Sequence, residues 1–439
     1  MKATAVAGLN HQTIDSSGFR MTQRSTTRAA ILALTLALGA CATARTAAPR
    51  AAAPSTRLDS LALASLRFAA ERAGATAAVL DPAAGYPRST EADGRWKQVR
   101  MNDWTSGFFP GTLWYLYEHT RDPALRAQAE RWTLPLAAIP SGRYTHDLGF
   151  QFHSSFGKAY RLTGDARFRD PALNAARLLA ARYNPTVGAI KSWDWTDPKR
   201  PYPVIVDNMM NLELLFWGAG AGGDAAWKGV ATRHALTTAA NHVRADGGSF
   251  HVVVFDPATG RALERITHQG LADSTTWARG ESWLVYGFTM AFRETGEPSF
   301  LRTARRVADY TLARLPADGI PCWDYQAPGC PDSAKRDASA AAVTASGLLE
   351  LSGYVPAAEG ARYRAAAERI LTTLSSPGYL ARGTPGQSIL LHSVGHLPAG
   401  TEVDVGISYA DYYFVEATLR YLELRGLRER TLLPKRGTR

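Results

Sequence analysis

Two kinds of helical segment alternate along this chain, six of each, and that alternation limits the available folds more than any other feature. One kind is amphipathic with a charged face: Leu58–Ala75, Pro123–Leu134, Ala166–Arg182, Asp224–Val243, Pro298–Leu315 and Gly360–Leu374. The other kind is rich in aromatics, glycine and small residues, starting near Ser106, Leu148, Asn208, Gly280, Ala338 and Tyr409. A helix with one apolar stripe lies on a surface, whereas a helix apolar nearly all round is buried on most sides. The junctions repeat as well. Thr120-Arg121-Asp122-Pro123, Thr163-Gly164-Asp165 and Thr295-Gly296-Glu297-Pro298 each join a buried helix to an amphipathic one. Thr or Gly closes the first helix, and an acid, twice followed by proline, opens the next. Spacing between junctions is irregular, which excludes a solenoid of fixed period. Six inner and six outer helices closed into a ring make an all-α (α/α)6 barrel; a helical array that does not close is the alternative.

In such a barrel the loops ahead of the inner helices surround one mouth. The unusual polar and aromatic strings fall at those positions: MNDWTSGFFPG, THDLGF, VIVDNMMN, STTWARGESW, KRDASAAA and VGISYADYY. Six strings converging there make a site. Asp147 and Asp207 each stand where an inner helix begins. Singly, each reads as an N-cap. Together, in an apolar and aromatic mouth, they suit acid–base work, because burial and mutual repulsion raise one carboxyl toward neutrality. Trp193 and Trp195, in the polar loop KSWDWTD, suit stacking on a sugar. Arg279 offers a planar fork for a carboxylate, and Gln269, Thr267 and His251 can bond hydroxyls. His392 and His396 stand four apart, but no helical pattern or third ligand completes a metal site.

Residues 1–41 read as an address, with the true start at Met21. Arg24 and Arg28 precede a short apolar run ending Leu38-Gly39-Ala40-Cys41, which resembles the lipobox of bacterial lipoproteins, with Cys41 the lipidation site. Residues 42–57 then form a flexible tether, 58–428 a single catalytic domain and 429–439 a basic tail. The expectation is export, as an outer-membrane lipoprotein facing the periplasm or as a soluble periplasmic protein, touching the membrane only through its lipid. Cys322 and Cys330, in PCWDYQAPGC, are either a disulfide or two thiols. The formal charge is +11, of which residues 1–40 carry three, and the remaining Arg and Lys form no dense run. Nucleic acid is therefore not an expected partner.

The strings WTSGFFPGTLWYLYE, HDLGF, VDNMMNLELLFW, THQG, STTWARGESW, RDASAAA and ISYADYYFVEA, in this order over about residues 85–425, resemble glycoside hydrolase family 88, the unsaturated glucuronyl hydrolases. The resemblance implies an (α/α)6 barrel acting on oligosaccharides that end in a 4,5-unsaturated uronic acid. It implies hydration of the C4–C5 double bond, with Asp207 as acid and base and Asp147 holding ring hydroxyls. It carries substrate contacts onto Trp104, Trp193, His251, Thr267, Gln269, Arg279 and Trp283, and requires no metal or cofactor. Glu281 departs from the glutamine more usual there; it would either repel the uronate or turn away and pair with Arg279. The competing readings are an unsaturated rhamnogalacturonyl hydrolase, an inverting glycosidase on the same barrel, and a surface glycan-binding lipoprotein. Residues 390–406 hold no Lys or Arg, while Glu402 and Asp404 add negative charge. If this loop borders the aglycone, with His392, Ser393 and His396 as its best sulfate partners, unsulfated substrates are preferred.

Overall fold

The structure, a computed structural model, describes residues 56–139 and 145–433. The segments read above as leader, Cys41 and most of the tether lie outside the described residues, as does 434–439. Every helix of the alternating series is present and starts within three residues of its expected position. The inner set is Phe108–Thr120, the π-type turns Gly149–Gly157 running into Lys158–Thr163, Asn208–Gly220, Ala278–Thr295, Ala338–Leu351 and Ser408–Arg425. The outer set is Arg57–Val79, Pro123–Thr133, Ala166–Ala180, Ala226–Asn241, Pro298–Arg314 and Ala357–Leu374. Each inner helix packs against the next, and Ser408–Arg425 packs back on Phe108–Thr120. The ring closes.

Burial separates the two sets as their sequences require. Every residue of Ala338–Leu351 is buried, whereas Pro298–Arg314 buries Phe300, Thr303, Ala304, Val307, Ala308, Tyr310 and Thr311, the stripe of a surface helix. The junctions behave as punctuation. Asp122, Asp165 and Glu297 accept the backbone N–H two residues on, at 2.8, 2.9 and 3.1 Å. Gly164 and Gly296 take the left-handed conformation, with φ of 69° and 70°, that ends the preceding helix.

Two boundaries move. The first helix begins at Arg57, capped by Thr56, so the barrel starts inside the expected tether. At the other end Leu433 is buried and its N–H donates to Glu423 at 2.9 Å, so residues to 433 belong to the body. Cys322 and Cys330 are joined as a disulfide.

Short antiparallel strands, which the scarcity of period-two patterning conceals, fold the mouth loops into hairpins. Tyr202–Ile205, Val252–Phe255 and Ala262–Ile266 form one sheet in that order. Tyr86–Thr90 pairs with Trp96–Val99, and Ser393–His396 with Thr401–Val405.

Candidate active site

The three-stranded sheet delivers much of the site. Asp207 follows its first strand, His251 precedes its second, and Thr267, His268 and Gln269 follow its third. Asp147 arrives from the neighbouring inner helix, which approaches closely because it starts with glycine. A Cβ on Gly149 would lie 2.5 Å from the Asn211 Cα, and Asn211 Oδ1 accepts the Phe150 N–H at 2.9 Å. The two acids thus face one cleft of about 390 Å³. Trp104, Trp193 and Trp195 line it beside Gln269, Arg279 and Tyr409.

Neither acid's side chain caps a helix. The Asp207 side chain makes no capping bond, and Asp147 binds the Thr145 hydroxyl at 3.1 Å. Asp337, at another inner-helix start, shows the contrast: it accepts the Ser339 N–H at 3.0 Å and hydroxyl at 2.6 Å. Burial pushes both Asp147 and Asp207 up to about 7. Repulsion from Asp147 raises Asp207 further, against the pull of Arg279. Desolvation dominates at both, and their mutual repulsion makes the two carboxyls titrate as a pair.

Two neutral imidazoles back the acids. Burial holds His251 well below its usual range and His146 down at about 3. His251 Nδ1 accepts the backbone N–H groups of His268 and Gln269, both at 3.3 Å. That assigns its proton to Nε2, which faces Asp207 Oδ2 at 3.6 Å. Trp277 stacks on the other side of His251, ring centres 4.5 Å apart, and carries the Arg279 guanidinium 4.5 Å above its ring. His146 Nε2 lies 3.2 Å from Asp147 Oδ1. Asp207 Oδ2, His251 Nε2, Trp283 Nε1 and the Tyr409 hydroxyl are buried without a hydrogen-bond partner among the described residues. Folded chains pair most such atoms, and of these four residues Asp207 and Tyr409 line the cleft.

A family model for Glycosyl Hydrolase Family 88 matches residues 82–393. The unsaturated glucuronyl hydrolase of Formosa agariphila is 41% identical over 327 residues, 74% of this chain and 81% of that one. This chain belongs to Glycosyl Hydrolase Family 88. The unsaturated glucuronyl hydrolase of a Bacillus species is 35% identical over 76% of this chain and 90% of its own. A crystal structure of an unsaturated glucuronyl hydrolase specific for heparin superposes with a TM-score of 0.81 at 43% identity. It covers 85% of this chain and 100% of that one.

Within this family 88 barrel the sequence-derived residues separate into three groups. Asp147, Asp207, Trp104, Trp193, Gln269 and Arg279 line the cleft. His251 stands behind Asp207. Thr267 and Trp283 do not form the cleft wall. The Thr267 hydroxyl accepts the Gly270 N–H at 2.8 Å and shapes its turn, while Trp283 is wholly buried against Phe150 and Tyr413. Glu281 follows neither expected course. It is fully buried, accepts the Ser249 hydroxyl at 2.6 Å, and is pushed by burial up to about 8, so it is neutral at pH 7. Arg279 instead bonds Asp337 at 3.1 Å and the carbonyls of Val394 and Gly395.

Arg88, His146, His268, Glu402 and Tyr409 also line the cleft. His146 and Tyr409 lie inside quoted strings and lacked only a reason to be singled out. Arg88 has no local signal; its strand places it against Glu402, 314 residues away, at 2.5 Å.

Proposed function

We propose that this enzyme hydrates the C4–C5 double bond of a terminal unsaturated glucuronyl residue on lyase-generated oligosaccharides. The observation that carries this reading is the Asp207 carboxyl, buried, protonated in part at neutral pH, with an unpartnered oxygen beside the cleft. It is supported by the names of relatives more than 30% identical along most of both chains.

Asp207 gives its proton to C4, and the π electron pair becomes the new C–H bond. The positive charge left at C5 is shared with the ring oxygen. A water oxygen bonds to C5 and loses a proton to the Asp207 carboxylate, which restores the acid. The hemiketal then opens: C5 becomes a ketone, the C5–O5 bond breaks, and O5 takes the proton. The resulting hemiacetal at C1 releases the neighbouring sugar as an alcohol and becomes an aldehyde. One carboxyl with a pKa near the working pH serves both transfers, and such help is worth about 10²–10⁴-fold. His251, neutral and with its Nε2 proton facing Asp207, favours the ionised form of Asp207 between them. Asp147 holds ring hydroxyls, and Trp104 and Trp193 pack on the sugar faces.

Incubation with an unsaturated disaccharide and a saturated glucuronide tests the reading. Loss of ultraviolet absorbance with release of the second sugar is the expected result. Cleavage of the saturated glycoside with no absorbance change identifies an inverting glycosidase instead.

We further propose that unsulfated aglycones are preferred. In the 390–406 segment Ser393 is buried, and His392 pairs with Asp404 at 2.6 Å. Lys335, which reaches this loop, is also taken by Asp404, at 2.8 Å. The relative described as specific for heparin makes the comparison of sulfated and unsulfated disaccharides decisive. Export with lipid on Cys41 is likewise a proposal, supported by the disulfide, a bond of oxidising compartments. Equal release of wild type and Cys41→Ser into the soluble periplasm would sink it.

A further inference from the structure

Tyr409 is the second residue of the inner helix Ser408–Arg425, and its side chain lines the cleft while showing no exposed surface. Its ring is fixed on three sides. Trp104 lies 5.1 Å away, Phe108 5.8 Å, and the Arg279 guanidinium 5.2 Å from the ring centre. Its hydroxyl nevertheless makes no hydrogen bond to any described group. Other tyrosines buried between these helices are partnered: Tyr115 and Tyr286 both donate to Glu416, at 2.6 and 3.2 Å.

The charges around the Tyr409 hydroxyl are Arg279, Arg88, Glu402 and Asp337. Both carboxylates are engaged elsewhere. Glu402 is gripped by Arg88 through both oxygens, and Asp337 by Arg279, Ser339 and the Val394 N–H. Among the described residues nothing accepts the phenolic hydrogen, and Arg279, the charge that acts most strongly on it, favours an anion there. Burial raises the phenol above its usual range, so it remains a donor.

We propose that Tyr409 is a substrate-binding residue whose O–H donates to the carboxylate of the uronyl ring. This rests on the function proposed above, in which that carboxylate is attached to C5, next to the carbon that Asp207 protonates. Arg279 is close enough to act electrostatically on both Asp207 and Tyr409, so the donor to C4 and the donor to the C5 carboxylate share one cation.

The test compares wild type and Tyr409→Phe on an unsaturated disaccharide and on its carboxyl methyl ester. A hydrogen bond to a charged group predicts a KM raised about tenfold or more on the free acid, with kcat little changed. On the ester the two proteins should have similar KM values. Thermal unfolding of the variant should match wild type, because no bond within the protein is lost. A KM on the free acid within about twofold of wild type overturns the proposal. An equal KM penalty on acid and ester also overturns it, by assigning the hydroxyl to a neutral group. A wild type that cannot turn over the free acid overturns the proposed function and this inference together. A turning-over wild type with an unchanged Phe variant overturns this inference alone.

Discussion

Asp207 and Glu213 lie on one inner helix and are both enclosed by the barrel, yet their environments act in opposite directions. At the mouth, Asp207 is pushed up to about 7 and has an oxygen without a partner. Toward the floor, Glu213 is held well below the usual carboxylate range, with Arg293 at 2.5 Å and His153 at 3.3 Å. The floor continues through Glu350 and Glu416. Arg293 and Arg420 hold Glu350 at 3.0 and 3.1 Å, while Tyr115 and Ser346 each donate to Glu416 at 2.6 Å. Similar burial thus gives a neutral acid where no cation is in direct contact and a firm anion where one is. The floor is built for stability, and the mouth keeps its polar atoms for something else.

Replacing Asp207 by Asn is the strongest way to break this contrast. Turnover should fall by about 10²-fold or more, since an amide neither gives nor accepts the proton. Stability should move the other way at alkaline pH. The folded pKa lies above the unfolded value, so the folded state binds more protons and wild type loses stability as pH rises from about 4 to 7. The variant has no buried charge to form, and at pH 8 it should be more stable by roughly 1–4 kcal/mol. Kinetics at pH 6 and denaturant unfolding at pH 4 and 8 check both halves.

Glu213→Gln should give the converse. Breaking a buried pair by removing one partner costs about 3–5 kcal/mol, while kcat below the melting range should stay within about twofold of wild type. Its linkage has the opposite sign. The depressed pKa of Glu213 supplies stability above the ordinary range near pH 4.5 that is lost as pH falls through the folded value. The variant should therefore show a smaller acid loss than wild type. A Glu213→Gln protein of unaltered stability but impaired turnover would mean that mouth and floor are not separable.

The sequence made the barrel legible because inner and outer helices differ in how much of their surface is apolar. It made the mouth legible because unusual residues recur at the start of inner helices. It could not show that Asp337 caps its helix while Asp147 and Asp207 do not, since all three occupy equivalent places in the pattern. Nor could it show Arg88 meeting Glu402, or the hairpins that bring them together, because short strands with mixed burial carry little periodic signal.

The pH profile sharpens the mouth itself. The donor form of Asp207 disappears above about 7, so kcat/KM should fall about tenfold per pH unit there. His146 and His251 stay neutral across the assay range and should add no inflection. Asp147→Asn should lower the rate and keep an alkaline limb, moved to lower pH because the repulsion that raises Asp207 is gone. Loss of the limb in that variant would transfer the titrating role to Asp147.

The smallest effect should come from Glu281→Gln, which lies behind the mouth and combines features of both regions. Like Asp207 it is a buried acid with one unpartnered oxygen; like the floor residues it accepts a hydroxyl bond, from Ser249. Its pKa is pushed up to about 8, so below that pH the side chain is neutral and glutamine is close to isosteric. Turnover at pH 6–7 should therefore change by less than about twofold. As pH rises from about 4.5 to 8 the two proteins should separate in stability. Over that window wild type must ionise a group enclosed by the barrel, four residues in sequence from the Trp277 that stacks on His251, so it loses stability and then levels off. The amide has no proton to lose, so the variant should unfold at a higher temperature than wild type at pH 9 and at nearly the same temperature at pH 5. A variant already impaired at pH 6 would show that Glu281 acts as an anion. The charge at this position would then be part of the site's field, a direct extension of the mouth into the core.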